Sequence, residues 1–279
     1  KRNIFLCSNI RNKSEMEKLF STYNPDIIFH AGALKHVTIC EENISEAIRT
    51  NVIATAMLAN MAEKFSCACF VQVSTDKAVE PSSVMGFTKK IAENIIKAKD
   101  ISNKSNTRFI TVRFGNVLGS TGSVVPLFKK QLRAGGPLTV TDKNATRFFM
   151  TIDEAVDLVI YASAENVFNS SIPKGCINVL NMGASVKIDD LAKQIIRLSG
   201  LVPGKDIKIK YIGLNKGEKL YEKLYEDLEE KVTKDTDGYF LVKSKKSKVM
   251  NIDNVLINLE KLCNSEEDKI YDKLFKILR

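Results

Sequence analysis

The chain has 279 residues, a formal charge of +9, and 44% hydrophobic against 27% charged residues, the composition of an ordinary globular protein large enough to bury a sizeable core. No apolar run reaches the roughly 18 residues of a spanning helix, no signal-peptide pattern opens the chain, and two histidines, His30 and His36, exclude most metal centres and Ser–His schemes. The six cysteines contain no CxxC pair and read as reduced, mostly buried thiols of a cytoplasmic protein, while the basic residues are spread along helices without an RNA-binding signature, which argues against nucleic acid.

In chain order, apolar strand candidates stand at residues 4–7, 26–30, 69–74, 108–113, 176–180 and 207–212. Helical candidates, with apolar residues at i, i+3 and i+4, occupy 41–65, 84–101, 124–134, 153–164, 188–199 and 218–228, and a last helix is predicted near 268–278. The alternation predicts an α/β fold: a Rossmann-like parallel sheet flanked by helices. From about residue 120 Gly, Thr and Pro punctuate shorter elements, the sign of a smaller lobe over the ligand edge. The division expected is a Rossmann-like domain at 1–175, with substrate-loop insertions from about 120, and a smaller lobe and tail at 176–279. The KSKKSK run at 243–248 reads as a solvated loop. The helices at 41–65 and 84–101 suit either a dimer interface or ordinary sheet-covering positions.

Complete dinucleotide folds open with a strand, a glycine-rich turn and a helix, because glycines let backbone amides approach a pyrophosphate. No GxGxxG or GxxGxxG is present, and the chain begins with Lys1 rather than Met. The expectation is that a first βαβ unit lies upstream.

Ligands of such sheets bind beyond the carboxyl ends of the strands, here the loops after His30, Ser74 and Arg113. The second loop carries Ser74, Thr75, Asp76 and Lys77, so Asp76 and Lys77 are placed to flank a substrate; at an arbitrary strand end the same residues would be a polar turn with a surface ion pair. Met85 and Lys89, four apart on the next helix, share a face toward the same strand ends. A lysine there can hydrogen-bond a ribose and stabilise nearby acids in their ionised form.

The segment STDKAVEPSSVMGFTKK at 74–90, with FHAGALKHV at 29–37, RFGNVLGSTGSVVPLFKKQ at 113–131, TRFFMTIDEA at 146–155 and GLNKGEKLYEKL at 213–224, resembles the polysaccharide-biosynthesis branch of the extended short-chain dehydrogenase/reductases. Its members are NAD-dependent UDP-N-acetylglucosamine 4,6-dehydratases. Met85 stands where soluble members carry Tyr in YxxxK, which places this chain with the long, membrane-tethered members; any tether would lie upstream.

The resemblance implies oxidation at carbon 4, loss of the carbon 5 hydrogen with the carbon 6 hydroxyl, and return of the hydride to carbon 6. It makes Lys77 the base at carbon 5 and Asp76 the acid at carbon 6, and leaves the carbon 4 proton to Asp76 through water or to Thr75. For NAD it points to His30, Ala31, Gly32, Lys35, Asn51, Ser74, Lys89 and Phe114; Gly32 replaces the usual Ala, and Ser8 with Asn9 stands where an adenine-side Asp is usual. For the nucleotide sugar it points to Asn116 and the helix opening near Ser123 for the diphosphate, with Lys129, to Arg147 for a phosphate, to Thr139 and Thr141 for the uracil, and to Glu218 for the ribose. Asn215 replaces a usual Arg, and Lys216 is the candidate to supply the missing charge. The expected partners are UDP-N-acetylglucosamine and further copies of the chain. Two rivals stand beside this reading: a 4-epimerase, which needs no base at carbon 5, and a non-catalytic remnant.

Overall fold

The computed structural model describes residues 3–102, 105–233, 237–245, 250–264, and 270, 271, 273, 274 and 276. The chain opens with α1 (Lys13–Tyr23), which Asn12 caps by accepting from the Glu15 N–H and which Asn24 ends in the left-handed conformation, φ 40°. Then come β1 (Ile27–His30), α2 (Val37–Glu42), α3 (Ile44–Ile48), one π turn (Arg49–Ile53), α4 (Ala54–Lys64), β2 (Cys69–Thr75), α5 (Val84–Ser102) and β3 (Arg108–Phe114). The middle of the chain holds β4 (Asn116–Val117), α6 (Val124–Arg133), β5 (Leu138–Val140), β6 (Thr146–Arg147), β7 (Phe149–Met150) and α7 (Ile152–Phe168). It closes with β8 (Ile177–Leu180), β9 (Val186–Lys187), α8 (Ile188–Leu198), β10 (Ile209–Tyr211), β11 (Glu229–Lys231), β12 (Tyr239–Ser244) and α9 (Ile252–Cys263).

The main sheet runs β1-β2-β3-β8-β12-β11, parallel through β8 and antiparallel for β12 and β11. Alternation along β2 sends Phe70 to a core with Phe20, Leu58 and Phe109 on one face, and Cys69 and Val71 to a core with Ile110, Val159 and Leu180 on the other. A helical layer from α2 to α5, closed by α9, packs Ile48, Met85, Ile91 and Leu259 together. The smaller lobe has its own core, where Phe128, Leu138, Ile196 and Ile207 meet between α6, α8 and the β5–β10 pair.

The alternation of strands and helices holds, with four local differences. Residues 4–7 form no strand: no described strand pairs with them, and without a ladder Ile4, Phe5 and Leu6 stay exposed. The 41–65 helix is broken at Asn43 and again at the π turn, where buried Asn51 turns inward. Residues 218–228 form no helix. The strand expected at 207–212 pairs with β5 in the lobe and takes no place in the main sheet.

Past residue 176 the chain returns to the main sheet, since β8 pairs with β3 and β12 with β8. β12 continues through Lys243 into the expected solvated loop, whose residues 246–249 lie outside the described residues, as does much of the helix expected at 268–278. α5 is buried along most of its length against the chain's own elements, as a sheet-covering helix is.

Candidate active site

The register of β2 on β3 sets Ser74 opposite Arg113 and Thr75 opposite Phe114 at the carboxyl edge of the sheet. There Thr75 caps a single 3-10 turn, Asp76–Ala78, its Oγ1 accepting from the Lys77 N–H at 3.4 Å. Asp76 is fully buried, and its Oδ1 accepts from Lys77 Nζ at 3.0 Å and from Thr75 Oγ1 at 3.0 Å. Lys77 Nζ donates further to Asn116 Oδ1 at 3.0 Å and lies 3.8 Å from Glu222 Oε1. Asp76 Oδ2 has no hydrogen-bond partner and faces the Cα of Gly115, where a Cβ would stand 3.1 Å from it. At Gly86 a Cβ would lie 2.4 Å from the Lys77 carbonyl oxygen, so the first turn of α5 can only pack on this loop as glycine.

A cavity of about 540 Å³ opens over these strand ends. Of the residues expected at a site, Ala31, Lys35, Ser74, Thr75, Lys77, Met85, Lys89, Phe114, Asn116, Thr139, Thr141, Arg147 and Glu218 line it. Asp76 sits one layer behind, reaching the cavity only through Thr75 and Lys77.

Five expected residues are elsewhere. His30 turns into the sheet, its Nε2 2.9 Å from Thr55 Oγ1 and its ring beside Phe70. Burial, with the nearby Lys89 charge, lowers its pKa to about 4, so it stays neutral at ordinary pH. Gly32 stays off the wall, where an added Cβ would crowd Ile10 at 3.1 Å. Asn51 acts on the cavity indirectly: its Oδ1 accepts from the Leu34 N–H at 2.8 Å and its Nδ2 donates to the Leu34 carbonyl at 3.0 Å, fixing the loop that carries Ala33, Leu34 and Lys35. Lys129 faces outward from α6 into a separate basic hollow with Lys130 and Arg133. Lys216 also turns away, toward Glu41 at 3.5 Å and the face of the Tyr271 ring.

Lys89 is buried and donates to the Val73 carbonyl at 2.6 Å. Burial pulls its pKa down to about 8, against the opposing charge of Glu93. Below it lies an ion cluster. Arg113, with no exposure, forks onto Glu93 at 2.8–3.0 Å and onto Glu229 at 2.8–3.0 Å, and Ser74 Oγ donates to Glu93 at 2.7 Å. Burial opposes the charge on Glu229, but Arg113 and then Lys90 outweigh it and hold the group at about 2. The cluster ties β2, α5 and β3 to β11, and through the Leu224 carbonyl, 3.1 Å from Arg113 Nη1, to the segment at 213–228.

At the far end Arg147 Nη2 donates to Glu218 Oε1 at 2.7 Å, Thr141 Oγ1 donates to the same oxygen at 3.0 Å, and Asn215 donates to Oε2. Gln131 holds Thr139 by two hydrogen bonds of 2.7 and 3.0 Å. Arg147 thus lies on the wall with Nη2 on one Glu218 oxygen and Nη1 on the Thr146 and Leu220 carbonyls, at 2.7 and 3.3 Å, which fixes a guanidinium charge suited to an anionic group.

One residue escaped the sequence reading. Glu222, four after Glu218, was legible only as part of a helix, and in the structure it stands beside Lys77. Among the described residues no group of His, Cys, Asp and Glu could hold a metal ion, and no helix is long and apolar enough to cross a membrane.

Residues 1–244 match the family described as polysaccharide biosynthesis protein. The capsular polysaccharide biosynthesis protein CapD of Staphylococcus aureus is 48% identical over 78% of this chain, which spans only 35% of that relative's length. A UDP-glucose 4-epimerase of Rickettsia bellii is 36% identical over 85% of this chain and 66% of its own length. Among solved structures, Pen from Bacillus thuringiensis aligns with a TM-score of 0.75 at 34% identity, covering 88% of this chain and 73% of its own. DesIV of Streptomyces venezuelae, a dTDP-glucose 4,6-dehydratase solved with NAD bound, shares the fold at a TM-score of 0.65 and 19% identity, over 78% of this chain and 69% of its own.

Proposed function

Because the chain belongs to the polysaccharide biosynthesis protein family, we propose that it carries the catalytic site of an NAD-dependent nucleotide-sugar 4,6-dehydratase acting on UDP-N-acetylglucosamine. The observation that carries this reading is an amine on the cavity wall joined at 3.0 Å to a sealed carboxylate, Lys77 on Asp76. Elimination needs a base at carbon 5 and an acid at carbon 6. Epimerisation needs neither.

The cavity fits the nicotinamide half of the cofactor. Ala31 and Ala33 leave room for a ring, and the buried ammonium of Lys89 supplies a donor at the same wall. When bound, NAD accepts the carbon 4 hydride and gives it back at carbon 6. The protons belong to the chain. Thr75 Oγ1, on the wall and hydrogen-bonded to Asp76 Oδ1, passes the carbon 4 hydroxyl proton inward, which leaves Asp76 protonated. That proton then goes outward to the carbon 6 hydroxyl, which leaves as water, while Lys77 takes the carbon 5 proton and later returns a proton to the same carbon. Met85 needs no proton in this scheme, because Thr75 and Asp76 together replace a phenol. Arg147 and Asn116 hold the diphosphate, and Thr139, Thr141 and Glu218 the uridine.

The test is to incubate the NAD-supplemented protein with UDP-N-acetylglucosamine and weigh the product. A product lighter by one water is expected. The second reading, a 4-epimerase, is favoured by the 36% identical relative of that name and would give a product of unchanged mass.

A further inference from the structure

Lys77 can act as a base only as the neutral amine, and Asp76 in the scheme above must start as an anion, so the ammonium proton of Lys77 has to rest somewhere else. The structure points to Glu222. We propose that Glu222 takes the proton of Lys77 and holds it through turnover; this rests on the dehydratase reading above.

Glu222 Oε1 is 3.8 Å from Lys77 Nζ, and its side chain is almost fully buried, at 3% exposure. Its Oε2 has no hydrogen-bond partner. The charged groups facing it are Lys77, Asp76, Lys219 and Arg147, with Glu218 and His36 across a small hollow of about 200 Å³ behind the main cavity. None of the cations is committed to Glu222. Lys77 spends its short contacts on Asp76 and Asn116, Lys219 gives its 2.6 Å bond to the Val79 carbonyl and stays 3.7 Å from Glu222, and Arg147 spends Nη2 on Glu218 and Nη1 on the Thr146 and Leu220 carbonyls. Glu229 is the contrast within the same molecule: equally buried, it is ionised because Arg113 grips both its oxygens.

An ionised carboxylate so buried and so loosely held is costly, and adding a proton removes the cost. Burial, reinforced by Asp76 and opposed by Lys77, raises the pKa of Glu222, in line with this geometry.

The transfer breaks one N–H bond of Lys77 and forms one O–H bond on Glu222, and the charge of the three-residue group is unchanged. Lys77 lines both the main cavity and the hollow that Glu222 lines, so the amine stands between substrate and proton store. After the transfer Lys77 presents a lone pair to carbon 5, collects its proton, and returns to carbon 5 one of the three protons of the resulting ammonium, two of which come from solvent and mark the exchange. Glu222 therefore keeps its proton and acts on the reaction only through Lys77, as a positioning residue.

The test separates two half-reactions in one mixture. Glu222→Gln and Glu222→Asp, each with bound NAD, are mixed with UDP-N-acetylglucosamine in deuterated water, and reduced cofactor, carbon 5 deuterium and product mass are followed. The Gln variant is expected to form reduced cofactor and to lose carbon 5 exchange and water loss by about 100-fold or more, the span of general base catalysis; the Asp variant recovers part of both. Equal exchange in wild-type and Gln variant overturns the proposal. Loss of cofactor reduction together with exchange also overturns it, since that is what a merely structural role gives. Should the Gln variant fail to fold, carbon-13 NMR of glutamate-labelled wild-type protein decides, with the Asp variant used for assignment: a protonated Glu222 carboxyl at neutral pH supports the proposal and an ionised one refutes it. Wild-type protein that releases no water from the substrate refutes the dehydratase reading instead, while the NMR result still reports on Glu222.

Discussion

Lys77 Nζ and Asp76 Oδ1 stand 3.0 Å apart, yet only the lysine reaches the cavity. The sequence sets these residues side by side, and the turn after β2 puts one on the wall and the other behind it. Asp76→Asn tests that division. The amide keeps the shape and one acceptor for Thr75 and Lys77 but cannot take or give the proton. Turnover is expected to fall by about 100-fold or more, with KM for the nucleotide sugar little changed, since Asn116, Arg147 and Glu218 are untouched. Steady-state kinetics on the purified variant check this.

Lys89 gives the stability of the fold a pH dependence. Its pKa falls from 10.5 to about 8 on folding because burial disfavours the charge. Below about pH 8 both states carry the proton and the fold bears the whole penalty, roughly 3 kcal/mol at about 1.36 kcal/mol per unit. From there to about pH 10.5 the unfolded chain holds more protons, so stability rises with pH. Lys89→Met removes this dependence. Chemical denaturation across that window should show the stability difference between wild-type and variant moving toward the wild-type by about that amount.

Glu229 behaves in the opposite sense. Its folded pKa of about 2 lies below the ordinary carboxylate value of 4.5, so its contribution is complete above about pH 4.5 and is lost as pH falls toward 2, up to roughly 3 kcal/mol. Glu229→Ala leaves half of the buried Arg113 fork unpaired and is expected to cost about 3–5 kcal/mol. Denaturant titration at neutral pH measures it, and the acid sensitivity of the variant should be smaller than that of the wild-type.

Gly86→Ala places a methyl 2.4 Å from the Lys77 carbonyl oxygen, a backbone atom that cannot swing aside. The helix must back away from the turn, at about 1–3 kcal/mol. Because that turn carries Asp76 and Lys77, turnover should fall as well, whereas Gly119→Ala, with nothing within 4 Å but a positive φ of 76°, should lower stability and leave turnover much less affected. Thermal melts and kinetics on both variants separate the two.

Arg147→Met removes a guanidinium held by Glu218 at 2.7 Å on the cavity wall. If that guanidinium receives a phosphate, KM for UDP-N-acetylglucosamine should rise by about 10-fold or more with kcat less changed, because a uniform binding contact is lost. Calorimetric titration with UDP alone gives the same answer without turnover.

Local pattern decided the elements, because period 2 and period 3.6 are properties of neighbouring residues: β1, β2, β3 and β8, and helices α5 to α8, fall where apolar spacing puts them, and the polar loop after β2 lies at the ligand edge because parallel strands end there. What spacing cannot carry is which residues from distant parts of the chain meet. Leu220 and Leu224 repeat at helical spacing, but one enters the lobe core and the other packs beneath the main sheet, while Glu218 and Glu222 are drawn to Arg147 and Lys77. One helix cannot serve four such destinations, so 218–228 unwinds. The same non-local pairing turned His30 toward Thr55, left Lys129 outside and sealed Asp76 behind Lys77. Residue types and their order came from the sequence alone, whereas access, burial and the identity of each charge's neighbour exist only once the chain has closed on itself, because desolvation and ion pairing depend on distance in space.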